Sequence, residues 1–401
     1  MLDLEEALAR ILAAVPAPTP ENAPPGGAAG RVLAEEVRSP IDLPVFDSSA
    51  MDGYALRAAD VASAGPDTPV RLCLAGQVAA GEAFAGEVAR GSCVRVFTGS
   101  VLPRGADAVV MQEETRAEAS GTGKVAILAR AEPGKNVRAR GEDVRRGSRL
   151  IAAGEILTAG RIGLLAAAGL TAVRVGRQPV VGLLATGSEL KEPGQPLAPG
   201  QIYESNRAAL AALVKRAGAV PRILPLVADA LAPTCEALTE AFSQCDVVVT
   251  TGGVSVGEMD FVRRAFEQMG GALEFWKVAI RPGRPFAFGC HRGKLLFGLP
   301  GNPVSALVTF LLLVRPALLR WQGATCVSLP THPGVLAEPL VNNGERRHFL
   351  RVKVDPAGRV WSAGVQASHV LSSAAAANGL VDVPANSTLA AGAKVPVLRC
   401  D

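Results

Sequence analysis

The residues best suited to chemistry follow three predicted strands in the second half of the chain. Each strand runs into a turn of small residues: TGSE at 186–189, TTGGVSVG at 250–257 and PGNP at 300–303. Glycine lets the backbone approach a bound anion closely, and free N–H groups at a following helix start favour phosphate. Such turns at one edge of a sheet predict a phosphate site. Because none matches GxxxxGK[ST] or GxGxxG, a P-loop or dinucleotide fold is disfavoured.

A positively charged loop, WKVAIRPGRP at 276–285, carries Lys277, Arg281 and Arg284 between prolines. Arginine can hold an oxyanion through two hydrogen bonds, so this loop predicts binding of phosphate or a tetrahedral oxyanion. The alternative is a solvated surface loop, which is where most exposed charges lie. The flanking prolines stiffen the loop and favour the binding role.

Acidic residues are scattered along the chain, and the ones of interest are Asp52, Asp143, Glu189, Asp229 and Asp260. Mg²⁺ prefers a few carboxylates together with phosphate oxygens, so these residues suit a Mg²⁺ site if the fold brings them together. Taken singly, Asp260 could cap a helix and Asp52 could hold a turn. The cysteines and histidines show no CxxC or HxxxH spacing, so we expect oxygen ligands for any metal.

Length and composition exclude several classes of protein. The 401 residues, 49% hydrophobic and 19% charged, predict two to four globular domains and exclude a disordered or fibrous chain. A dispersed net charge of +4 argues against a nucleic-acid or membrane surface. The apolar run Val304–Val314 is shorter than the roughly 20 residues of a membrane span and predicts a buried core helix. An acidic N-terminus unlike a secretory signal predicts a cytoplasmic protein.

Residue patterns predict the elements that must position these groups. A helix is expected over 3–15, and short β-branched runs at 70–74, 93–97, 108–111 and 124–128 predict an inserted all-β module. Helical spacing returns at 154–169, and this segment is expected to pack with the N-terminal segment. From 179 onwards strands alternate with helices, which predicts a mainly parallel sheet with helices on both faces and ligands beyond the carboxyl ends of its strands.

The α/β elements and those after them have these expected bounds. Strands are predicted at 180–184, 222–227, 246–249, 275–280 paired with 286–288, and 295–299, and helices at 206–218, 232–242, 259–269 and 304–320. Short strands at 335–337, 348–354, 359–362 and 388–397 then predict a small β-barrel or sandwich.

The chain resembles the MoeA family of molybdopterin molybdenumtransferases, whose eukaryotic relatives include the E domain of gephyrin. The resemblance rests on motifs spread in order over most of the chain. They are DLPVFDSSAMDGYALR (42–57), RVFTGSVLPRGADAVVMQEET (95–115), NVRARGEDVRRG (136–147), ATGSEL (185–190), IYESN (202–206), VVVTTGGVSVGEMDF (247–261), FWKVAIRPGRPFAFG (275–289), LFGLPGNPVSALV (296–308) and SHVLSSAAAANGL (368–380).

The resemblance implies an elongated, homodimeric protein of four domains. The implied domains are an elongated linker domain (1–45 with 136–176), an inserted β-rich domain (46–135), a doubly wound α/β molybdopterin-binding domain (177–326) and a C-terminal β-barrel (327–401). It also implies a reaction in which molybdate enters the dithiolene of adenylated molybdopterin and AMP is released with the help of Mg²⁺. Transient contacts with the adenylyltransferase and with recipient molybdoenzymes are expected.

The resemblance also implies the roles of individual residues. Catalytic roles fall on Asp52, Asp143, Glu189, Asp229 and Asp260, of which Glu189, Asp229 and Asp260 are the implied metal ligands. Substrate binding falls on Thr98, Arg138, Thr186, Gly252, Gly253, Ser255, Lys277, Pro300, Gly301 and Asn302. Molybdate binding falls on Arg281, Arg284, Ser305, Arg351 and Ser368. The early residues Asp52, Thr98, Arg138 and Asp143 are expected to complete the cleft from the second protomer.

One departure from the family pattern and one open choice of residue affect the oxyanion site. Arg281 and Arg284 stand where lysine is common, which leaves the preference between molybdate and tungstate open. In GERRHFLRV at 344–352, three arginines are candidate ligands, and spacing to an FxR pattern favours Arg351 over Arg346 and Arg347.

Two other functions compete with this one. They are the related adenylyltransferase step and a non-catalytic pterin carrier or scaffold. If Asp260→Asn abolishes turnover and leaves the dimer intact, the enzyme function is supported. If the same substitution disrupts the dimer, a structural role is supported.

Overall fold

The computed structural model describes residues 1–118, 123–253 and 261–400. The chain divides into two compact units. The larger unit comprises Met1–Glu35, Ala153–Thr158 and Ala172–Asp401, and the smaller unit comprises Glu36–Ala152 and Ala159–Thr171. This division is coarser than the four domains implied by the sequence, whose boundaries stay a prediction.

The helices of the described residues are α1 (Leu4–Ala14), α2 (Ala159–Ala167), α3 (Asn206–Arg216), α4 (Leu231–Gln244), α5 (Phe261–Gln268), α6 (Pro303–Thr309), α7 (Arg315–Trp321) and α8 (Leu371–Ala376). The strands of the first half are β1 (Pro20–Ala23), β2 (Val37–Arg38), β3 (Ser48–Ser49), β4 (Gly53–Leu56), β5 (Val70–Val78), β6 (Ser92–Val96), β7 (Ala108–Met111), β8 (Thr115–Ala117), β9 (Lys124–Ile127), β10 (Val137–Arg138), β11 (Arg149–Ile151) and β12 (Val173–Gly176).

The strands of the second half are β13 (Val180–Ala185), β14 (Leu190–Lys191), β15 (Ile202–Tyr203), β16 (Val220–Ile223), β17 (Val247–Thr251), β18 (Ala272–Lys277), β19 (Ile280–Arg281), β20 (Pro285–His291), β21 (Lys294–Leu299), β22 (Thr331–Leu336), β23 (Leu340–Asn342), β24 (Arg347–Val354), β25 (Arg359–Ser362), β26 (Gly379–Val383), β27 (Ser387–Leu389) and β28 (Lys394–Arg399).

A six-stranded sheet of order β16-β13-β17-β21-β20-β18 organises the larger unit. Its first four strands are parallel, and β20 and β18 add antiparallel pairs, so the predicted mainly parallel sheet is confirmed. Successive residues of a strand face opposite sides: Val247 and Val249 pack with α3, α6 and α7, whereas Val248 packs with α4 and α5. This alternation puts helices on both faces, as the pattern predicted.

Two predicted strand bounds were wrong for identifiable reasons. The strand expected at 222–227 is β16, which ends at Ile223 two residues before Pro225, a residue with no N–H to donate to a neighbouring strand. The strand expected at 388–397 is two strands, β27 and β28, separated by a turn at Gly392, where φ is 81°. Glycine adopts this left-handed conformation without strain.

The predicted core helix is confirmed. It consists of α6, a π-helical turn at Phe310–Val314, and α7. Among the described residues, this is the helix with the length and apolarity to cross a membrane, and 78% of its apolar window is buried inside the fold. Its side chains pack against the parallel sheet and α1.

The C-terminal strands form a closed five-stranded barrel, which confirms the predicted barrel. Pairing runs from β22 to β28, β26, β24 and β25, and β25 returns to β22. The short strand β19 of the charged loop joins this barrel by pairing in parallel with β24, so that Arg281 lies opposite His348.

The smaller unit contains the predicted inserted β module. Its six-stranded sheet has the order β7-β4-β6-β5-β9-β8 and encloses the side chains of Leu56, Leu72 and Ile127. The segment 154–169 is divided between the units: Gly30 N donates to Leu157 O over 2.8 Å in the larger unit, whereas α2 belongs to the smaller one. The expected packing of the whole segment with the N-terminal segment stays a prediction for this helix.

We expect Phe297→Ala to lower the free energy of unfolding by about 3–5 kcal/mol, because it empties a ring site in the core. The Phe297 ring is fully buried on β21 and contacts the rings of Phe286 and Phe288. Urea unfolding followed by circular dichroism measures the loss. Trp361→Ala, at an exposed ring of the same unit, is the control and should cost less than about 1 kcal/mol. Equal losses in the two variants would contradict the assigned core.

Candidate functional site

The turns after β13, β17 and β21 meet at one edge of the parallel sheet and line a cavity of about 610 Å³, which we call the turn cavity. Seven residues assigned from the sequence line it: Thr186, Glu189, Gly252, Gly253, Pro300, Gly301 and Asn302. The other lining residues are Leu190, Ile202, Tyr203, Glu204, Ser205, Asn206, Thr251, Pro285, Pro303 and His369. The structure thus brings together the turns that the sequence pattern placed at this edge.

Close packing of the first two turns requires glycine. Gly252 and Gly253 have φ of 82° and 63°, and a Cβ on Gly252 would lie 2.5 Å from Thr186 O. A Cβ on Gly253 would lie 2.8 Å from Thr186 Oγ1, a buried hydroxyl that has no hydrogen-bond partner among the described residues. The close approach of these two turns therefore depends on the absence of side chains at Gly252 and Gly253.

A second wall of the turn cavity comes from IYESN at 202–206, to which sequence reasoning gave no individual role. Glu204 is buried there, and its carboxylate accepts hydrogen bonds from Arg207 N and Nε, both at 2.9 Å. Asn206 Nδ2 donates to Gly301 O over 2.8 Å. These bonds fix the segment against the third turn, and no spacing rule in the sequence indicated them.

A cavity of about 360 Å³, which we call the arginine cavity, adjoins the turn cavity and shares four of its wall residues. The shared residues are Pro285, Pro300, Asn302 and His369. Four residues assigned to the oxyanion line it: Arg281, Arg284, Ser305 and Ser368. The remaining lining residues are Pro282, Gly283, Arg346, Gln366 and Ala367.

Positive charge in the arginine cavity has no acidic counterpart among the described lining residues. Arg346 joins Arg281 and Arg284 there, and its Nη1 donates to Ile280 O over 3.0 Å. Burial lowers the pKa of Arg346, and the charges of Arg284 and Arg281 lower it further. Three guanidinium groups in one cavity repel each other, so a bound anion would stabilise the arrangement.

Hydrogen bonds and close packing hold the walls of the arginine cavity in place. Asn302 Nδ2 donates to Ser368 Oγ over 3.0 Å, which links the third turn to the loop before α8. Gly283 has φ of 109°, and a Cβ there would lie 2.3 Å from Thr309 Cγ2 of the core helix. The charged loop therefore lies directly against the helix that presents Ser305.

The structure does not place Arg351 on the arginine cavity, whereas Arg346 lies there. Arg351 is 1% exposed within β24, and its guanidinium bonds to the loop 365–373: Nε donates to Ser373 Oγ at 2.8 Å, and Nη2 to Val365 O at 2.9 Å and Ala367 O at 3.2 Å. This arginine positions the loop that carries Ser368. Spacing to an FxR pattern could not decide whether Arg346 or Arg351 lines the cavity. That depends on which of the two lies within the barrel strand β24.

Comparison with known proteins identifies the family. Three family models match: the MoeA N-terminal region (domain I and II) over residues 2–169, the probable molybdopterin binding domain over 182–320, and the MoeA C-terminal region (domain IV) over 333–399. The chain belongs to the MoeA family.

Relatives within the family match nearly end to end. This MoeA chain is 40% identical over 378 residues to the molybdopterin molybdenumtransferase of Haemophilus influenzae, covering 93% of this chain and 92% of that one. It is 40% identical over 385 residues to molybdopterin molybdenumtransferase 2 of Mycobacterium tuberculosis, with 94% of each chain covered. The crystal structure of a MoeA protein from Pyrococcus horikoshii superposes with a TM-score of 0.81 at 34% identity and covers 100% of this chain and 99% of that chain.

Other residues assigned to the MoeA site are placed elsewhere or not described. Lys277 on β18 and Asp229 line neither cavity, and Asp229 N donates to Ser188 Oγ over 3.4 Å. Ser255 and Asp260 lie outside the described residues. Within residues 1–118, 123–253 and 261–400, no group of three acidic, cysteine or histidine side chains that could hold a metal is found. Of the two implied Mg²⁺ ligands that the structure describes, Glu189 lines the turn cavity and Asp229 does not.

Asp52 and Thr98 meet in the smaller unit. Thr98 N and Thr98 Oγ1 each donate to Asp52 Oδ1 over 2.7 Å. These bonds, first from the backbone and then from the hydroxyl, lower the pKa of Asp52. Arg138 lies on β10 opposite Ser48, and Asp143 N donates to Leu43 O over 3.1 Å.

His348 lies behind the arginine cavity as a buried neutral imidazole. It is 3% exposed, and its Nε2 has no hydrogen-bond partner among the described residues. Burial is the main cause that lowers its pKa from 6.5 to about 4, and the charges of Arg281, Arg351 and Arg346 add to it. Protonation of this side chain therefore opposes folding.

We expect the free energy of unfolding to fall as the pH decreases from about 6.5 to about 4, relative to His348→Gln. The unfolded chain binds a proton in this window that the folded chain binds only near pH 4, so the protein loses up to about 3 kcal/mol of stability. Urea unfolding at several pH values measures the difference. A constant difference between the two proteins over this range would contradict the assigned environment.

Proposed function

We propose that this protein is a transferase of molybdenum cofactor biosynthesis that inserts molybdate into adenylated molybdopterin and releases AMP. The observation that carries the proposal is the common wall between the turn cavity and the arginine cavity. One cavity offers glycine backbone suited to phosphate, and the other offers guanidinium groups suited to a dianion. The relatives named molybdopterin molybdenumtransferase support the same reaction.

The turn cavity would hold the pterin nucleotide. Backbone N–H groups at Gly252 and Gly253, which line this cavity, would be the donors for phosphate oxygens. The third turn at 300–302 forms the opposite wall, with Asn302 reaching toward the arginine cavity. Ser255 and Lys277 are additional proposed substrate contacts. Orientation of the dithiolene toward the arginine cavity would hold its sulfurs near the molybdenum, which lowers the entropic part of the barrier.

The arginine cavity would hold molybdate. Arg281, Arg284 and Arg346 supply charge, and the hydroxyls of Ser305 and Ser368 supply neutral donors. We infer that Arg346 takes the ligand role expected of Arg351, while Arg351 keeps the loop 365–373 in place. Guanidinium forks bind two oxygens of a tetrahedral oxyanion, which a lysine ammonium does not do.

Mg²⁺ is a further part of the proposal. Glu189 fits this role because its side chain lines the cavity where phosphate oxygens would complete the hard oxygen set that Mg²⁺ prefers. Asp229 and Asp260 are the other proposed ligands. When bound, Mg²⁺ would neutralise charge on the phosphoanhydride as AMP leaves.

The assembly and its partners are likewise proposed. The protein would act as a homodimer, with Asp52, Thr98, Arg138 and Asp143 of one protomer completing the cleft of the other. The hydrogen bonds from Thr98 favour the ionised form of Asp52. A carboxyl group that faces a cationic ligand or Mg²⁺ would need to be ionised. We expect a cytoplasmic location and transient contacts with the adenylyltransferase and recipient molybdoenzymes.

We expect the purified protein to release AMP from adenylated molybdopterin only when Mg²⁺ and an oxyanion are both present. Reactions without oxyanion, with molybdate and with tungstate are compared by chromatography of AMP and metal analysis of the pterin. Faster release with one oxyanion defines the preference of the arginine cavity. Substrate binding without release in every reaction would contradict the insertion function and support a carrier.

We expect Arg346→Ala to weaken molybdate binding by about 10-fold to 100-fold, because it removes a charge-assisted hydrogen bond. Arg347→Ala is the matched control: its guanidinium is paired with Asp382 and Glu5 and does not line the arginine cavity. Equilibrium dialysis with molybdate measures both. Similar affinities for the two variants would show that Arg346 is not an oxyanion ligand.

A further inference from the structure

His369 lies where the turn cavity and the arginine cavity meet. It lines both of them, together with Pro285, Pro300 and Asn302. The other three are two prolines and an amide, which do not exchange protons near neutral pH. His369 is therefore the titratable side chain of this shared wall.

Among the residues that the structure describes, the lining of the two cavities gives the charged and titratable groups near His369. On the arginine side they are Arg281, Arg284 and Arg346, and arginine does not release its proton in proteins. On the turn side they are Glu189, Glu204 and Tyr203.

Each of these groups has a property that makes it a poor proton donor. Glu204 is paired with Arg207, Glu189 is a proposed Mg²⁺ ligand, and a phenol is a much weaker acid than an imidazolium ion. Among the described lining residues, the imidazole is the group whose chemistry suits proton donation at physiological pH.

The backbone on both sides of His369 is fixed by hydrogen bonds. Val304 N donates to Ser368 O over 3.1 Å, and Leu371 N donates to His369 O over 3.1 Å. Arg351 Nη2 binds Ala367 O over 3.2 Å. These bonds tie the backbone of 367–369 to the core helix and to the barrel, and His369, which is exposed, extends from this fixed backbone.

We propose that His369 is a catalytic residue of insertion, which donates a proton to the molybdate oxygen that leaves as water. The inference rests on the proposed function, and it names the side chain that supplies a proton that the reaction needs. When a dithiolene with one thiol and one thiolate attacks molybdate, two Mo–S bonds form and one Mo–O bond breaks. The departing oxide takes one proton from the thiol and one from His369, and molybdenum stays Mo(VI). The charges balance, and nothing is oxidised or reduced.

The test compares wild type, His369→Gln and the control His332→Gln, whose imidazole is exposed on β22 outside both cavities. Glutamine keeps a polar side chain but does not exchange protons near neutrality. Molybdate affinity is measured by equilibrium dialysis, and the single-turnover rate of molybdenum transfer to adenylated molybdopterin is measured across a range of pH.

We expect His369→Gln to bind molybdate within about threefold of wild type and to insert it about 100-fold more slowly, a typical loss for a proton donor. The pH profile of the rate should differ between wild type and His369→Gln, because glutamine removes the proton-donating imidazole. His332→Gln should behave as wild type. Rescue of a His369→Ala variant by added imidazole would be a further expected result.

Two results would overturn the role of His369. One is an unchanged rate and pH profile in His369→Gln, and the other is a loss of affinity as large as the loss of rate, which would make His369 a binding residue. Either result leaves the insertion function in place as long as wild type transfers molybdenum. Failure of wild type itself to transfer molybdenum would instead contradict the proposed function.

Discussion

Pairing between β19 and β24 is the interaction on which the arginine cavity depends. This short parallel pair sets Ile280 opposite Arg347 and Arg281 opposite His348, and so joins the charged loop of the α/β sheet to the barrel. Without this pairing, Arg281 on the charged loop and Arg346 beside the barrel strand β24 would not be held in one cavity. Burial of the barrel and sheet cores therefore also supplies the free energy that brings like charges together.

The repulsion among the three guanidinium groups also affects the walls of the arginine cavity. A cavity with three guanidinium groups and no acidic lining residue among those described is stable only because stiff surroundings hold each group in place. Prolines flank the loop, Gly283 packs against the core helix, and the Asn302–Ser368 bond joins two walls. Preorganisation of this kind lets an incoming oxyanion gain favourable electrostatics without moving the protein.

Much of this arrangement could be predicted from the sequence, because it follows from local patterns. The alternation of strands and helices predicted the parallel sheet, and the topology then placed the turns at 186–189, 250–253 and 300–303 at one edge. Residues whose positions depend on tertiary pairing were harder to predict from the sequence. Arg346 rather than Arg351 lines the cavity because β24 begins at Arg347, and Glu204 is held by a buried arginine that no spacing rule indicates. Asp229 and Lys277 line neither cavity, since strand-end position alone does not fix where a side chain points.

The wall shared by the two cavities has a thermodynamic consequence. Pro300 and Asn302 line both cavities, so an occupant of one cavity that moves either residue would change the free energy of filling the other. Linkage makes this influence reciprocal: if the nucleotide tightens oxyanion binding by some factor, the oxyanion tightens nucleotide binding by the same factor. With such coupling, discrimination between oxyanions would not be a property of the arginines alone, because part of it would be carried by the ligand in the neighbouring cavity.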